Sequence, residues 1–229
     1  MNAEILAVGH ELLMGEIVDT NSSYIAQQLS GTGITVQWMS HVGDNIDHLS
    51  DAFKRGLERS DVVISTGGLG PTSDDLTREA VSNAVGEAMK VDPDILSWLE
   101  GVFARRGMEM PPTNIKQATL IPSATSIPNP NGTAPGWWVE KDGKHIVIMP
   151  GPPRELKEVW EATVGPKFGE ISGSGVTATR TLKTHGLSEG GIDEILSDLF
   201  GQENPYLGIY AHVEGIHLRM IGRGADQKA

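Results

Sequence analysis

The 229-residue chain carries 18 Lys and Arg against 30 Asp and Glu, a formal net charge of −12, and 38% of its residues are apolar. That apolar share supports a packed core and excludes a disordered or fibrous chain, while the acidic balance argues against nucleic acid, whose phosphates need a basic face. The absence of cysteine removes disulfides, Cys-based zinc sites and a thiol nucleophile, and with neither an apolar run near the ~20 residues of a bilayer span nor a signal-peptide start, a cytoplasmic protein without a membrane partner is expected.

The first half alternates short apolar runs with segments of helical period, the pattern of a parallel sheet covered by helices. Ile5 to Val8 reads as a buried strand, followed by a helix that ends near Gly31 with Ile25 and Leu29 inward. Ile34 to Met39 reads as the second strand, and Ile46, Leu49, Phe53 and Leu57 form one stripe of the next helix. Val62 to Ser65 is the third strand, and the helix after it carries Leu76, Ala80, Val81 and Ala84. Asp92 and Pro93 open a fifth helix with Leu99 and Phe103 inside. Three strand-to-helix units in succession imply right-handed crossovers and a three-layer α/β/α domain.

From Pro111 to Gly136 the composition turns to Pro, Asn, Ser and Thr, which predicts extended loop with a short strand near Ala124 to Ile127. Trp137 to Glu140 and His145 to Met149 flank Asp142-Gly143, a two-residue hairpin signal, and a helix follows Pro150-Gly151-Pro152-Pro153. Adjacent strand residues face opposite ways, so only one of Trp137 and Trp138 is expected in the core of a half-buried hairpin, and the other suggests a homodimer contact or a loop cover. A Gly/Ser linker is read at 170–175. Beyond it comes a small β-α-β-β tail of alternating Val176, Ala178, Arg180 and Leu182, a helix with Ile192, Ile195, Leu196 and Leu199, and a hairpin at Glu214-Gly215.

Four glycine-bearing loops are expected on one edge of the sheet, where open α/β sheets bind ligands. They are Gly9-His10-Glu11 with Asp19 and Asn21 close behind, Val42 to Asn45, Thr66 to Thr77, and Pro150 to Pro153. The third, Thr66-Gly67-Gly68-Leu69-Gly70-Pro71-Thr72, reads either as a phosphate cradle or as a tight turn whose helix is capped by Asp74 or Asp75. Asp44 reads either as a site carboxylate or as the cap of the helix after it. Glu11, Asp19, Asp44, Asp74 and Asp75 supply oxygen ligands suited to a hard divalent cation.

These loops, together with Gly9 to Asn21, Asn114-Ile115-Lys116-Gln117-Ala118, Asn131 to Gly136 and Pro150 to Leu156, resemble the amino-terminal part of the CinA family of competence/damage-inducible proteins. That part is similar to the MogA, MoaB and MoeA molybdopterin-binding fold. The resemblance implies a MoaB/MogA-like α/β domain over residues 1–170 and a KH-like α+β appendage over 171–229. The appendage's Gly186 to Gly191 stretch holds no basic residue, so no RNA clamp is expected there. Relatives often continue into a nicotinamide-mononucleotide deamidase domain, to which the resemblance does not extend. Where Thr is common in the family this chain has His10, and where a basic residue is common it has Ser73.

For activity, the resemblance implies a Mg2+-dependent pyrophosphohydrolase acting on ADP-ribose-like nucleotides. It makes Asp44 and Asp75 the functional carboxylates, expected to carry catalysis, and from the carboxylates around the loops Asp44, Asp74 and Asp75 are the expected metal ligands. The nucleotide would be held by Gly9, Glu11, Asn21, Thr66, Gly67, Gly68, Gly70, Pro71, Thr72, Thr133, Pro150, Gly151 and Pro153. The alternative is a molybdopterin-binding or molybdenum-cofactor biosynthetic protein using the same loops without hydrolysis; a regulatory module without catalysis is a third reading.

Overall fold

The computed structural model describes residues 1–172, 176–202 and 204–224. The chain divides into two compact units, residues 1–29 with 34–168, and residues 169–229 with 30–33. The first unit is built on a six-stranded sheet of β1 (Asn2–Val8), β2 (Thr35–Val42), β3 (Val62–Thr66), β6 (Ala124–Ile127), β7 (Gly136–Lys141) and β8 (Lys144–Met149), in the order β2-β1-β3-β8-β7-β6. A separate two-stranded ribbon pairs β4 (Lys90–Val91) with β5 (Thr119–Leu120). β2, β1, β3 and β8 run parallel, so the loops that follow them all leave one edge. β7 is antiparallel to β8 and β6 to β7, joined at β7–β8 by the expected Asp142-Gly143 turn, where both residues have positive φ (51° and 74°).

Each central strand is buried on both faces. Ile5, Ile64, Val147 and Met149 pack on one side against Ile25 and Leu29 of α2 (Thr20–Leu29) and Leu156 and Val159 of α6 (Pro153–Val159). Leu6, Val63, Ile146 and Ile148 pack on the other against Leu49 and Phe53 of α3 (Ile46–Arg59) and Ala80 and Val81 of α4 (Thr77–Val85). The fifth predicted helix is α5 (Pro93–Arg105), capped as expected by Asp92, whose carboxylate accepts the Asp94 and Ile95 N–H groups. A short α1 (His10–Leu13) follows β1, and a wide turn at Trp160–Val164 links α6 to α7 (Gly165–Ile171). The layering is the expected α/β/α.

β1 begins three residues earlier than its apolar run, because the carboxylate inside it is neutralised. Glu4 is buried at 1% exposure and accepts two hydrogen bonds from the Arg59 guanidinium of α3, at 2.8 and 2.7 Å. Arg59 also lies 4.2 Å from the centre of the Trp38 ring on β2. Three expectations are corrected. Asn45, not Asp44, caps α3, its side-chain oxygen accepting from Asp47 and His48. Neither Asp74 nor Asp75 caps α4, whose N-cap position is Leu76 without a side-chain bond. Trp137 and Trp138 do face opposite ways, but both are buried in their own chain, because helices cover both faces of the β7–β8 hairpin. Trp138 packs 4.8 Å from the Phe168 ring, while the Trp137 indole donates to Thr119 O at 2.9 Å. The hairpin therefore offers no exposed tryptophan to a second chain.

The second unit is an antiparallel sheet, β10-β11-β9, of β9 (Val176–Thr184), β10 (Tyr206–His212) and β11 (Gly215–Gly224), with α8 (Glu189–Leu196) between β9 and β10. Its apolar stripe is thinner than the spacing predicts: Ile192 is buried but Ile195 is 68% exposed. Of the expected linker at 170–175, residues 173–175 lie outside the described residues, and Glu170 belongs to α7.

Because both indoles fill packed space, Trp137→Ala and Trp138→Ala should each lower stability by about 3–5 kcal/mol in urea unfolding. A loss under about 1 kcal/mol at either position would contradict two-sided burial.

Candidate functional site

The order β2-β1-β3 means the chain leaves β1 to one side and returns on the other, which opens a crevice between the loops after β1 and β3. A cleft of about 540 Å³ lies there. It is lined by the ends of β1 and β3, the Gly67 to Pro71 loop, the Pro150 to Pro153 loop, Thr133 and Ala134, and the Glu11 to Asn21 segment. Of the predicted binding residues, Glu11, Asn21, Thr66, Gly67, Gly68, Gly70, Pro71, Thr133, Pro150, Gly151 and Pro153 are brought together here. Gly9 and Thr72 lie just outside the lining.

Asn21, in the first turn of α2, ties the floor. Its amide nitrogen donates to Thr66 Oγ1 at 2.9 Å and Gly151 O at 2.7 Å, while the Thr66 hydroxyl donates to Pro150 O at 2.9 Å. Gly67 and Gly68 turn the chain with φ of 101° and 66°. A Cβ on Gly67 would press into Val8 O and one on Gly68 into the Thr77 hydroxyl, which itself donates to Gly67 O at 2.8 Å. The Gly67 N–H is used by Met149 O at 3.0 Å. The next three, on Gly68, Leu69 and Gly70, find no acceptor among the described residues.

Cations support this loop from behind. Arg78 is 1% exposed, and its two terminal nitrogens donate to Leu69 O at 2.9 Å and Pro135 O at 2.8 Å. Burial pulls its pKa down to about 10, against the opposing influence of Glu79 and Asp75. Lys116 donates to Thr72 O at 3.0 Å and to Asp75 O, and pairs with Glu79 at 3.1 Å. Gln117 adds a second donor to Leu69 O at 3.3 Å and is held by Asn114 at 2.8 Å. Lys116 and Gln117 sit in a 3-10 turn, Pro112–Ala118, within the stretch read as extended loop. Arg78 carried no sequence signal, because one basic residue in an amphipathic helix reads as solvent face.

The carboxylates are distributed rather than clustered. Asp75 lines the cleft but is engaged by the Thr72 N–H at 3.0 Å and the Thr72 hydroxyl. Asp19 also lines it, accepting the Ser22 N–H at 2.9 Å and facing His41 Nε2 at 2.8 Å; burial alone would raise its pKa, but these bonds hold it below the usual value. Glu155, unanticipated as a site residue, bonds the buried Asn129 amide at 2.7 Å. The Glu11 carboxylate has no hydrogen-bond partner among the described residues. Asp44 and Asp74 are outside the lining. Asp44 is drawn away by the His10 N–H at 2.9 Å, joining the loops after β1 and β2, so the expected metal trio of Asp44, Asp74 and Asp75 does not converge. Among the described residues no three His, Asp or Glu gather closely enough to hold a metal ion, and no helix is long and apolar enough to cross a membrane.

Removing the Asn21 tie leaves Gly151 O without its donor, so Asn21→Ala should cost about 1–2 kcal/mol in urea unfolding. A neutral result would mean that water replaces the bond and the floor does not depend on it.

Residues 4–169 match the family model described as a probable molybdopterin binding domain, and residues 179–229 the damage-inducible protein CinA KH domain. A CinA-like protein of Deinococcus deserti is 47% identical over 225 residues, covering 98% of this chain and 55% of the relative; the chain spans about half the length of the curated relatives it matches. The crystal structure of CinA from Thermoplasma acidophilum, a protein of unknown function, is 37% identical with a TM-score of 0.68, covering 72% of this chain and 96% of that one. A molybdopterin biosynthesis protein from Mycobacterium abscessus, 17% identical with a TM-score of 0.50 over 75% of this chain and 93% of its own, shares the fold. The chain belongs to the CinA-like family, a molybdopterin-binding-type α/β domain followed by a CinA KH domain.

Proposed function

We propose that the cleft binds a phosphorylated ring compound of the molybdopterin type, with the phosphate at the Gly67 to Gly70 loop. The observation that carries this reading is the run of three unpartnered N–H groups on Gly68, Leu69 and Gly70 at the switch point of a parallel sheet. Consecutive backbone N–H groups left open on a cleft wall at a strand-to-helix turn suit an anion. The opposite wall supplies Leu12, Ile17 and Val18, with Val18 82% exposed, as an apolar face for a ring.

The cleft is lined by Glu11, Asp19, Asp75 and Glu155 and by no Lys, Arg or His. A phosphate entering it is repelled unless a cation accompanies it. No three carboxylates converge among the described residues, so a divalent cation would have to arrive with the ligand, with Glu11 and Asp75 as the cleft carboxylates that would offer it oxygens. Bound there, such an ion would neutralise charge on a pyrophosphate and lower the pKa of a bound water. The same carboxylates favour a second reading, cleavage of an ADP-ribose-like pyrophosphate, in which an unliganded carboxylate accepts the water's proton.

Calorimetry with molybdopterin and with ADP-ribose, each with and without Mg2+, tests both readings, alongside assay for AMP and ribose 5-phosphate. Binding without turnover is the expected result, weakened at least about tenfold by removing the cation. Turnover of ADP-ribose would establish the second reading, and no binding of either compound would end both. Gly68→Val, forced into a positive φ against Thr77, should abolish binding.

A further inference from the structure

Arg78 is a buried guanidinium whose two hydrogen bonds both go to carbonyls, and whose Nε has no partner. Burying a cation without an intimate carboxylate is costly, so the arrangement calls for a role that a neutral side chain would not fill. The carbonyls belong to two cleft-lining segments: Leu69 is in the glycine loop, and Pro135 adjoins the lining residue Ala134. In a planar trans peptide the N–H points opposite to the C=O. With Leu69 O fixed toward Arg78 and Gln117, the Gly70 N–H is turned the other way, onto the cleft that Gly70 lines.

We propose that Arg78 is a positioning residue for anion recognition, its clamp on the Leu69 and Pro135 carbonyls aiming the Gly70 amide at the ligand's phosphate beside the Gly68 and Leu69 amides, whose peptides Thr77 holds through Gly67 O and Gly68 O. This rests on the reading that a phosphate occupies the glycine loop. Arginine suits the task because its planar fork reaches two acceptors at once, whereas a lysine ammonium is a compact point charge on a flexible stem. Its charge also lies behind the amide dipoles, adding positive potential where the cleft wall supplies only carboxylates.

The test is nitrogen-15 NMR of the full chain titrated with inorganic pyrophosphate and Mg2+, for the parent, Arg78→Lys and Arg78→Met. In the parent the Gly68, Leu69 and Gly70 amide resonances should move. Arg78→Lys should bind about tenfold more weakly, the loss of one to two hydrogen bonds' worth of orientation, while its spectrum outside the two clamped loops stays native. Arg78→Met should bind more weakly still; if it does not fold, the lysine variant decides. Parent-like affinity in Arg78→Lys, immobile Gly68 to Gly70 amides in the parent, or spectrum-wide change in Arg78→Lys would each overturn the proposal. If molybdopterin binds without moving those amides, both the positioning role and the placement of the phosphate at this loop fail, and only cleft binding stands. If pyrophosphate moves them but no ring compound binds, the ligand reading fails and the positioning role stands.

Discussion

The cleft depends on one sealed cation. Arg78 holds two carbonyls that lie far apart in sequence, one from the loop after β3 and one from the approach to β7. Without it Pro135 O would be a buried acceptor left unsatisfied, costing about 1–3 kcal/mol, and Leu69 O would keep only its longer bond from Gln117. The glycines at 67 and 68 let the chain turn tightly there, but freedom to turn is also freedom to turn wrongly. The guanidinium, with Lys116 and Gln117 beside it, removes that freedom from the carbonyl side and leaves the amide side open.

This support would have no site to shape without the sheet order. Parallel β1, β3 and β8 bring three loops to one edge, and the reversal between β1 and β3 keeps the helices on opposite faces from closing over them. Asn21 then bridges two of these loops through Thr66 and Gly151. The loop after β2 reaches the same edge but is occupied differently: Asp44 fastens it to the His10 amide, so its carboxylate serves the scaffold and not the cleft.

The electrostatics follow the same division. An acidic chain of net charge −12 still presents an anion-suited loop, because the attraction comes from peptide N–H groups and from cations placed behind them. Ser73 stands where the family commonly has a basic side chain, and Arg78 and Lys116 provide positive charge under the same loop. The charged side chains that line the cleft are Glu11, Asp19, Asp75 and Glu155, so its own wall adds no positive charge to what the loop amides supply.

The amino-acid sequence by itself determined the α/β alternation, the turn at Asp142-Gly143, the Asp92 cap and the glycine loops, because each is a local preference of backbone or of apolar period. It also carried the family, through motifs spread along the whole chain. Tertiary structure alone decided which side chains act together. Glu4 reads as a break in a strand until Arg59 neutralises it, and Trp137 and Trp138 compete for one core until helices are seen on both faces of their hairpin. Asp44 and Asp75 look equivalent until a backbone amide 34 positions away claims the first and a neighbouring threonine engages the second. Arg78 is one basic residue in a helix until that helix is laid beneath the glycine loop. These outcomes turn on contacts between distant segments, and no local pattern encodes which buried polar group will meet which partner.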